Sequence, residues 1–167
     1  ATKITKKIIQ SGKKLRVLGR AGIGVDNIDI EAATNNGIVV MNTPFGNSIT
    51  TAEHTISLMM SLARNIPQAS KSTKEGKWEK SKFMGTELFG KILGMVGCGN
   101  IGSLVVERCL GLKMKVFVYD PFLSKDQTEK IGAKKVELEE ILKNSDFITL
   151  HTPLTDKTKG ILNKNNL

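Results

Sequence analysis

Apolar positions along this 167-residue chain recur in two periods, and the periods alternate. Ile4, Ile8 and Ile9 sit at helical spacing over residues 1–11, with Gly12 as a stop. Leu15-Arg-Val-Leu-Gly19 reads as a short strand, followed by the glycine-bearing loop Arg20-Ala-Gly-Ile-Gly24. Asp29 is placed to cap a helix over 30–35, and Gly37 to end it. Ile38-Val-Val-Met41 is apolar at every position, the pattern of a strand buried on both faces of a parallel sheet. Asn42-Thr-Pro-Phe-Gly46 then breaks the pattern and predicts a crossover between domains.

The second half repeats the alternation with longer elements. Thr50-Thr-Ala-Glu53 has capping-box spacing, and Ile49, Ala52, Ile56, Met59, Met60 and Ala63 predict a long amphipathic helix that Pro67 interrupts. From Ala69 to Phe89 the chain turns polar around its single tryptophan, Trp78. Lys71, Lys74, Lys77 and Lys80 recur every three residues, either as a solvated helix face or as an arm reaching another subunit with Trp78 as its anchor. Ile92–Val96, Ile101–Leu112 and Lys115–Asp120 predict strand, helix and strand. Val136–Lys143 suggests a strand end and a helix, and Asp146-Phe-Ile-Thr-Leu150 a further buried strand. Strands and helices in alternation predict an α/β fold with parallel sheets.

Composition changes this picture little. No apolar run reaches the roughly 18 residues of a membrane-spanning helix. The net charge is +9, but the lysines are dispersed and aromatics make up 5% of the chain, without a nucleic-acid-binding signature. Neither a nucleic-acid nor a membrane partner is expected. The surplus charge fits a solvated surface or attraction of an anionic metabolite. Cys98 and Cys109 lack metal or redox spacing, so reduced thiols of a cytoplasmic protein and no metal site are expected.

The chemistry concentrates at Gly97-Cys-Gly99-Asn-Ile-Gly102, which lies between a predicted strand and a predicted helix. Asp120 follows about 20 positions on, the arrangement of a dinucleotide-binding βαβ unit. Gly97 would permit the tight turn, Gly99 the approach of a pyrophosphate, and Gly102 close helix–strand packing. Asn100 and Ile101 would offer helix N-terminal N–H groups to the phosphates. Asp120 would accept both adenosine-ribose hydroxyls and repel a 2′-phosphate, which favours NAD over NADP. His151-Thr-Pro-Leu154 ends the next strand, on the edge where open parallel sheets bind ligands, and reads either as the adenine-side lining or as an ordinary loop. Arg20 with Gly22 is a second anion-suited place, or a surface arginine in a turn. His54, inside the long helix, reads as a packed or surface histidine.

Gly19-Arg-Ala-Gly-Ile-Gly-Val-Asp-Asn-Ile-Asp29, Met41-Asn-Thr-Pro-Phe-Gly-Asn-Ser48, Gly76-Lys-Trp78, Phe83-Met-Gly-Thr-Glu-Leu88 and the glycine loop form one ordered series. Together they resemble the NAD-dependent D-2-hydroxyacid dehydrogenases, in the branch acting on a phosphorylated 2-hydroxy acid. The resemblance implies an α/β chain in which part of a flavodoxin-like substrate domain (1–45) precedes an incomplete Rossmann-type parallel sheet (91–167). A linking helix and dimerisation arm (46–90) would join them, with homo-oligomer contacts through 48–88. It further implies NAD contacts at Gly97, Gly99, Asn100, Ile101, Gly102, Asp120, Pro121, His151, Thr152, Pro153 and Ile23. Arg20 and Gly22 would face the substrate. Ile23 departs from the threonine common there, so a hydroxyl contact is lost. No catalytic residue is expected in the chain, because the family's arginine, glutamate and histidine would fall beyond Leu167. The alternatives are another D-2-hydroxyacid dehydrogenase, such as a glyoxylate or hydroxypyruvate reductase, or a dinucleotide-sensing binding protein on the same fold.

Overall fold

A computed structural model of the chain describes residues 2–166. It divides into two compact units, one comprising the residues up to Ser48 with Pro153–Lys159, the other Ile49–Thr152 with the residues from Gly160.

In the first unit, α1 (Lys6–Ser11) and α2 (Ile30–Asn35) flank a parallel pair of strands, β1 (Val17–Arg20) and β2 (Val39–Asn42). The Asp29 carboxylate accepts the Ala32 N–H at 2.9 Å and fixes the start of α2 as its spacing predicts. Ile9, Ala32, Ala33 and Ile38 form a small core against Leu18 and Val40. The alternate residues of the strands face the other way. Val17 is 48% exposed, Val39 55% and Met41 54%. The apolar run 38–41 is therefore not buried on both faces as expected, because among the described residues helices cover only one side of this sheet.

The second unit carries α3 (Ser48–Ala63, its first residue belonging to the first unit) and α4 (Ile66–Lys74), with a 3-10 turn over Lys80–Phe83. Next come β3 (Ile92–Val96), α5 (Asn100–Gly111), β4 (Lys115–Tyr119) and α6 (Lys125–Lys130). The two-residue β5 (Lys134–Lys135), α7 (Leu138–Asn144) and β6 (Phe147–Leu150) complete it. Helix α3 begins at Ser48, so Thr50 lies within it and does not cap it. Pro67 stands in the first turn of α4, where its missing N–H is harmless. Of the lysine series only Lys71 and Lys74 lie in α4, which ends there, while Lys80 opens the 3-10 turn. Helix α6 was not expected from periodicity. Its signal is Ser124-x-x-Gln127, which forms a reciprocal capping box.

The sheet is wholly parallel in the order β5-β4-β3-β6. Leu93 and Met95 of β3, with Val116 and Val118 of β4, pack on α3 and α5 through Met59, Val105, Val106 and Cys109. Val96, Phe117 and Tyr119 face Ile141 of α7. Helices thus cover both faces, and the central strand is apolar throughout for that reason. Chain order reverses at β3, whose neighbours are β4 and β6, which places a topological switch point at its C-terminal end.

Candidate cofactor site

The glycine loop leaves β3 at that switch point. Gly97 has φ +86°, and its N–H donates to the Tyr119 carbonyl at 2.9 Å. A Cβ here would lie 2.7 Å from the Thr152 methyl and 2.9 Å from the His151 carbonyl oxygen. Both the left-handed backbone and the approach of the segment after β6 therefore require glycine. A Cβ at Gly102 would lie 2.8 Å from the Gly97 carbonyl, so α5 can seat against β3 only without one. Gly99 differs from both, because beyond its own chain neighbours no atom lies within 4 Å of where its Cβ would be. The protein itself does not require glycine at 99. A bare, open backbone there suits close approach by a ligand.

Gly99 precedes α5 and gives it no side-chain cap. The first-turn N–H groups of Asn100 and Ile101, which have no carbonyl partner within the helix, face the positive end of a 12-residue helix.

Asp120 is 9% exposed at the end of β4. Its Oδ2 accepts the Cys98 N–H at 2.8 Å and its Oδ1 the Phe122 N–H at 2.8 Å. A carboxylate offers about four lone-pair sites, so two remain for hydroxyl donors. The two backbone donors fix its orientation and join the glycine loop to the turn at exposed Pro121. Sequence reasoning missed this tie. The N–H groups of Cys98 and Phe122 carry it, and backbone donors leave no trace in residue type. Burial, and then the Asp120 carboxylate, push the Cys98 thiol up to about 11. The thiol therefore stays neutral.

His151 extends the pairing of β6 by donating its N–H to the Val96 carbonyl at 2.9 Å. Its Nε2 lies 3.0 Å from the Thr149 hydroxyl, and burial holds the imidazole below its usual value, in the neutral form. Gly97, His151, Thr152 and Asp120 are thus brought together by hydrogen bonds and contact within the second unit. Pro153 belongs to the first unit, as do Arg20, Gly22 and Ile23. There the Arg20 guanidinium folds back to donate to the Ala21 carbonyl at 2.8 Å, and a Cβ at Gly22 would strike its Nη1 at 2.7 Å. His54 is exposed.

Residues 56–167 match the family model described as D-isomer specific 2-hydroxyacid dehydrogenase, NAD binding domain. The chain belongs to this family. D-3-phosphoglycerate dehydrogenase of Archaeoglobus fulgidus is 55% identical over 98% of the chain, and that of Homo sapiens 54% over 99%. The chain spans 31% of the length of each. Among solved structures, NAD+-bound 3-phosphoglycerate dehydrogenase of Entamoeba histolytica superposes at TM-score 0.75 and 39% identity, over 94% of this chain and 46% of that one. NAD-dependent formate dehydrogenase of Staphylococcus aureus, in complex with NAD, superposes at 0.89 and 32%, over 98% and 49%. The fold is the family's Rossmann-type NAD-binding domain, and NAD is its cofactor. No helix among the described residues is long and apolar enough to cross a membrane.

Proposed function

We propose that the chain is the cofactor-holding part of an enzyme that oxidises 3-phospho-D-glycerate to 3-phosphooxypyruvate with NAD, in the cytoplasm. Fold similarity does not select the substrate, since a formate dehydrogenase superposes at 0.89. Sequence identity favours the phosphoglycerate enzymes, at 49–55% over nearly the whole chain. The observation that carries the cofactor assignment is Asp120, buried, oriented by two backbone donors, and left with acceptor capacity for a ribose.

The residues present fit NAD. Gly97, Gly99 and Gly102 shape the loop, and Asn100 and Ile101 present N–H groups to the pyrophosphate. Asp120 and Pro121 take the ribose side, and His151 and Thr152 the adenine side. Arg20 and Gly22 hold the anionic substrate through the guanidinium and backbone N–H groups. Bound NAD supplies the hydride acceptor. No residue here is assigned as the acid–base group.

The experiment is titration calorimetry with NAD and NADP. Asp120→Ala should weaken NAD by roughly 10- to 100-fold, the worth of hydrogen bonds to a charged group, and NADP far less. Equal losses for both cofactors would overturn the ribose assignment.

Self-association through residues 48–88 completes the proposal. Leu58 and Leu62 of α3, with Trp78 and Met84, are 58–84% exposed. An exposed apolar helix face and an exposed aromatic within one segment suit an isologous pairing. Trp78→Ala should weaken the dimer about 30-fold or more, as loss of an interface anchor does. An unchanged association state in sedimentation would remove the anchor.

A further inference from the structure

Trp78 is 84% exposed, yet the segment that bears it is not loose. The Ser72 side chain lies on the inner face of α4 and the residue is 6% exposed. Its hydroxyl donates to the Glu79 carboxylate at 2.8 Å, and its carbonyl accepts the Lys77 N–H at 3.0 Å. The other Glu79 oxygen takes the Lys82 ammonium, while the Lys82 N–H donates to the Glu79 carbonyl at 2.9 Å. Gly76, at φ +74°, turns the chain out of α4 just before this set. Trp78 stands between the two residues tied to Ser72, Lys77 and Glu79, with its ring outward.

We propose that Ser72, Glu79 and Lys82 form a latch that holds the single tryptophan projecting for a second copy of this chain. The latch positions; it makes no contact across the interface itself. Its partner assignment rests on the self-association proposed above. A large aromatic side chain on an unordered loop would pay its ordering cost on association, whereas one held in place beforehand does not. Glu79 is suited to the role because both oxygens are engaged, and by different elements: α4 on one side and the 3-10 turn on the other. Lys77 pairs with Glu75 at 2.7 Å, and Lys82, outside the three-residue repeat, closes the latch.

The pair Lys82 and then Ser72 hold the Glu79 carboxyl below its ordinary value, so the latch is closed at neutral pH. The charged groups facing Glu79 are Lys82 and Lys77. Acidification through that low value should therefore open it.

Because Trp78 is the chain's only tryptophan, its time-resolved anisotropy reads the latch directly. Ser72→Ala and Glu79→Gln should each raise the amplitude of the nanosecond local motion about twofold, and Lys82→Met less. In sedimentation, Ser72→Ala and Glu79→Gln should weaken self-association roughly fivefold or more, and should add nothing in a Trp78→Ala background. Far-UV circular dichroism unchanged from the parent establishes that the variants fold, and Ser72→Ala removes a single buried hydroxyl. Unaltered anisotropy in both Ser72→Ala and Glu79→Gln overturns the latch, whatever the association state. Altered anisotropy in a chain that stays monomeric at every concentration overturns the second copy as partner and retains the latch.

Discussion

The two units solve the same problem with opposite results. Each contains a parallel β-loop-α-β arrangement built on an apolar strand, Val39–Asn42 in one and Ile92–Val96 in the other. In the second unit, helices lie on both faces of a four-stranded sheet, and Met95 is fully buried. In the first, one face of a two-stranded sheet packs on α1 and α2, while the other leaves Met41 54% exposed. An apolar strand marks a place where burial is wanted. Whether it is obtained depends on how many layers the fold stacks around it.

The most severe way to break this comparison is to truncate the same residue type in both sheets. Met95→Ala should cost the second unit about 2–5 kcal/mol, the lost transfer term plus a cavity. Met41→Ala should change the first unit by no more than about 0.5 kcal/mol, as at an exposed position. Urea denaturation read by far-UV circular dichroism measures both. Comparable losses would mean that Met41 is covered.

A smaller effect separates the two glycine loops. Gly97→Ala meets a left-handed backbone, which costs roughly 1–2 kcal/mol, and a contact with backbone that cannot yield, which costs about 1–3 kcal/mol more. Gly22→Ala meets a backbone at φ +159° that L side chains rarely adopt, but its contact is with the far end of the Arg20 side chain, which can swing away, so a cost of about 1–2 kcal/mol, smaller than at Gly97, is expected. Thermal unfolding should show the Gly97 variant well below the Gly22 variant. Substrate affinity, if Arg20 holds the anion, should fall in the Gly22 variant instead.

The legibility of the chain follows the same division. Asp29 and the two glycines at 97 and 102 were readable because a cap and a close approach each demand a residue type. Helix boundaries were readable to within a few residues, but Thr50 had the spacing of a cap without being one, since Ser48 starts the helix earlier. The exposure of Val39 and Met41 was not readable, because burial is a property of neighbouring layers and not of the strand itself. At the site, Asp120 could be named from its distance to the glycine loop. Its two backbone donors could not, since any residue at 98 or 122 except proline supplies an N–H. The Ser72–Glu79 pair was hidden too: a serine seven residues from a glutamate has no helical or strand relation until the chain turns at Gly76.

Acid sharpens the comparison at the lowest energy. Both histidines of the chain, His54 and His151, lie in the second unit. Burial depresses the His151 value, so the folded ring takes up a proton less readily than the unfolded one. The unfolded state therefore binds more protons just below pH 6.5, and stability falls as pH falls. The contribution is fully present above the unfolded value and is lost progressively as pH drops through the folded one, with a slope no steeper than about 1.4 kcal/mol per pH unit. Carboxylates titrate mainly below about pH 5, which leaves a window between roughly 5 and 6.5 for the imidazole. In that window the second unit should lose stability and the first should not. Hydrogen exchange resolves the two by their amides, β3 and β6 reporting the one and β1 and β2 the other. His151→Gln should flatten the limb, because a neutral amide side chain has no proton to gain and can still reach the Thr149 hydroxyl. A limb that persists unchanged in that variant would assign the titration elsewhere and leave the buried imidazole without a role in acid stability.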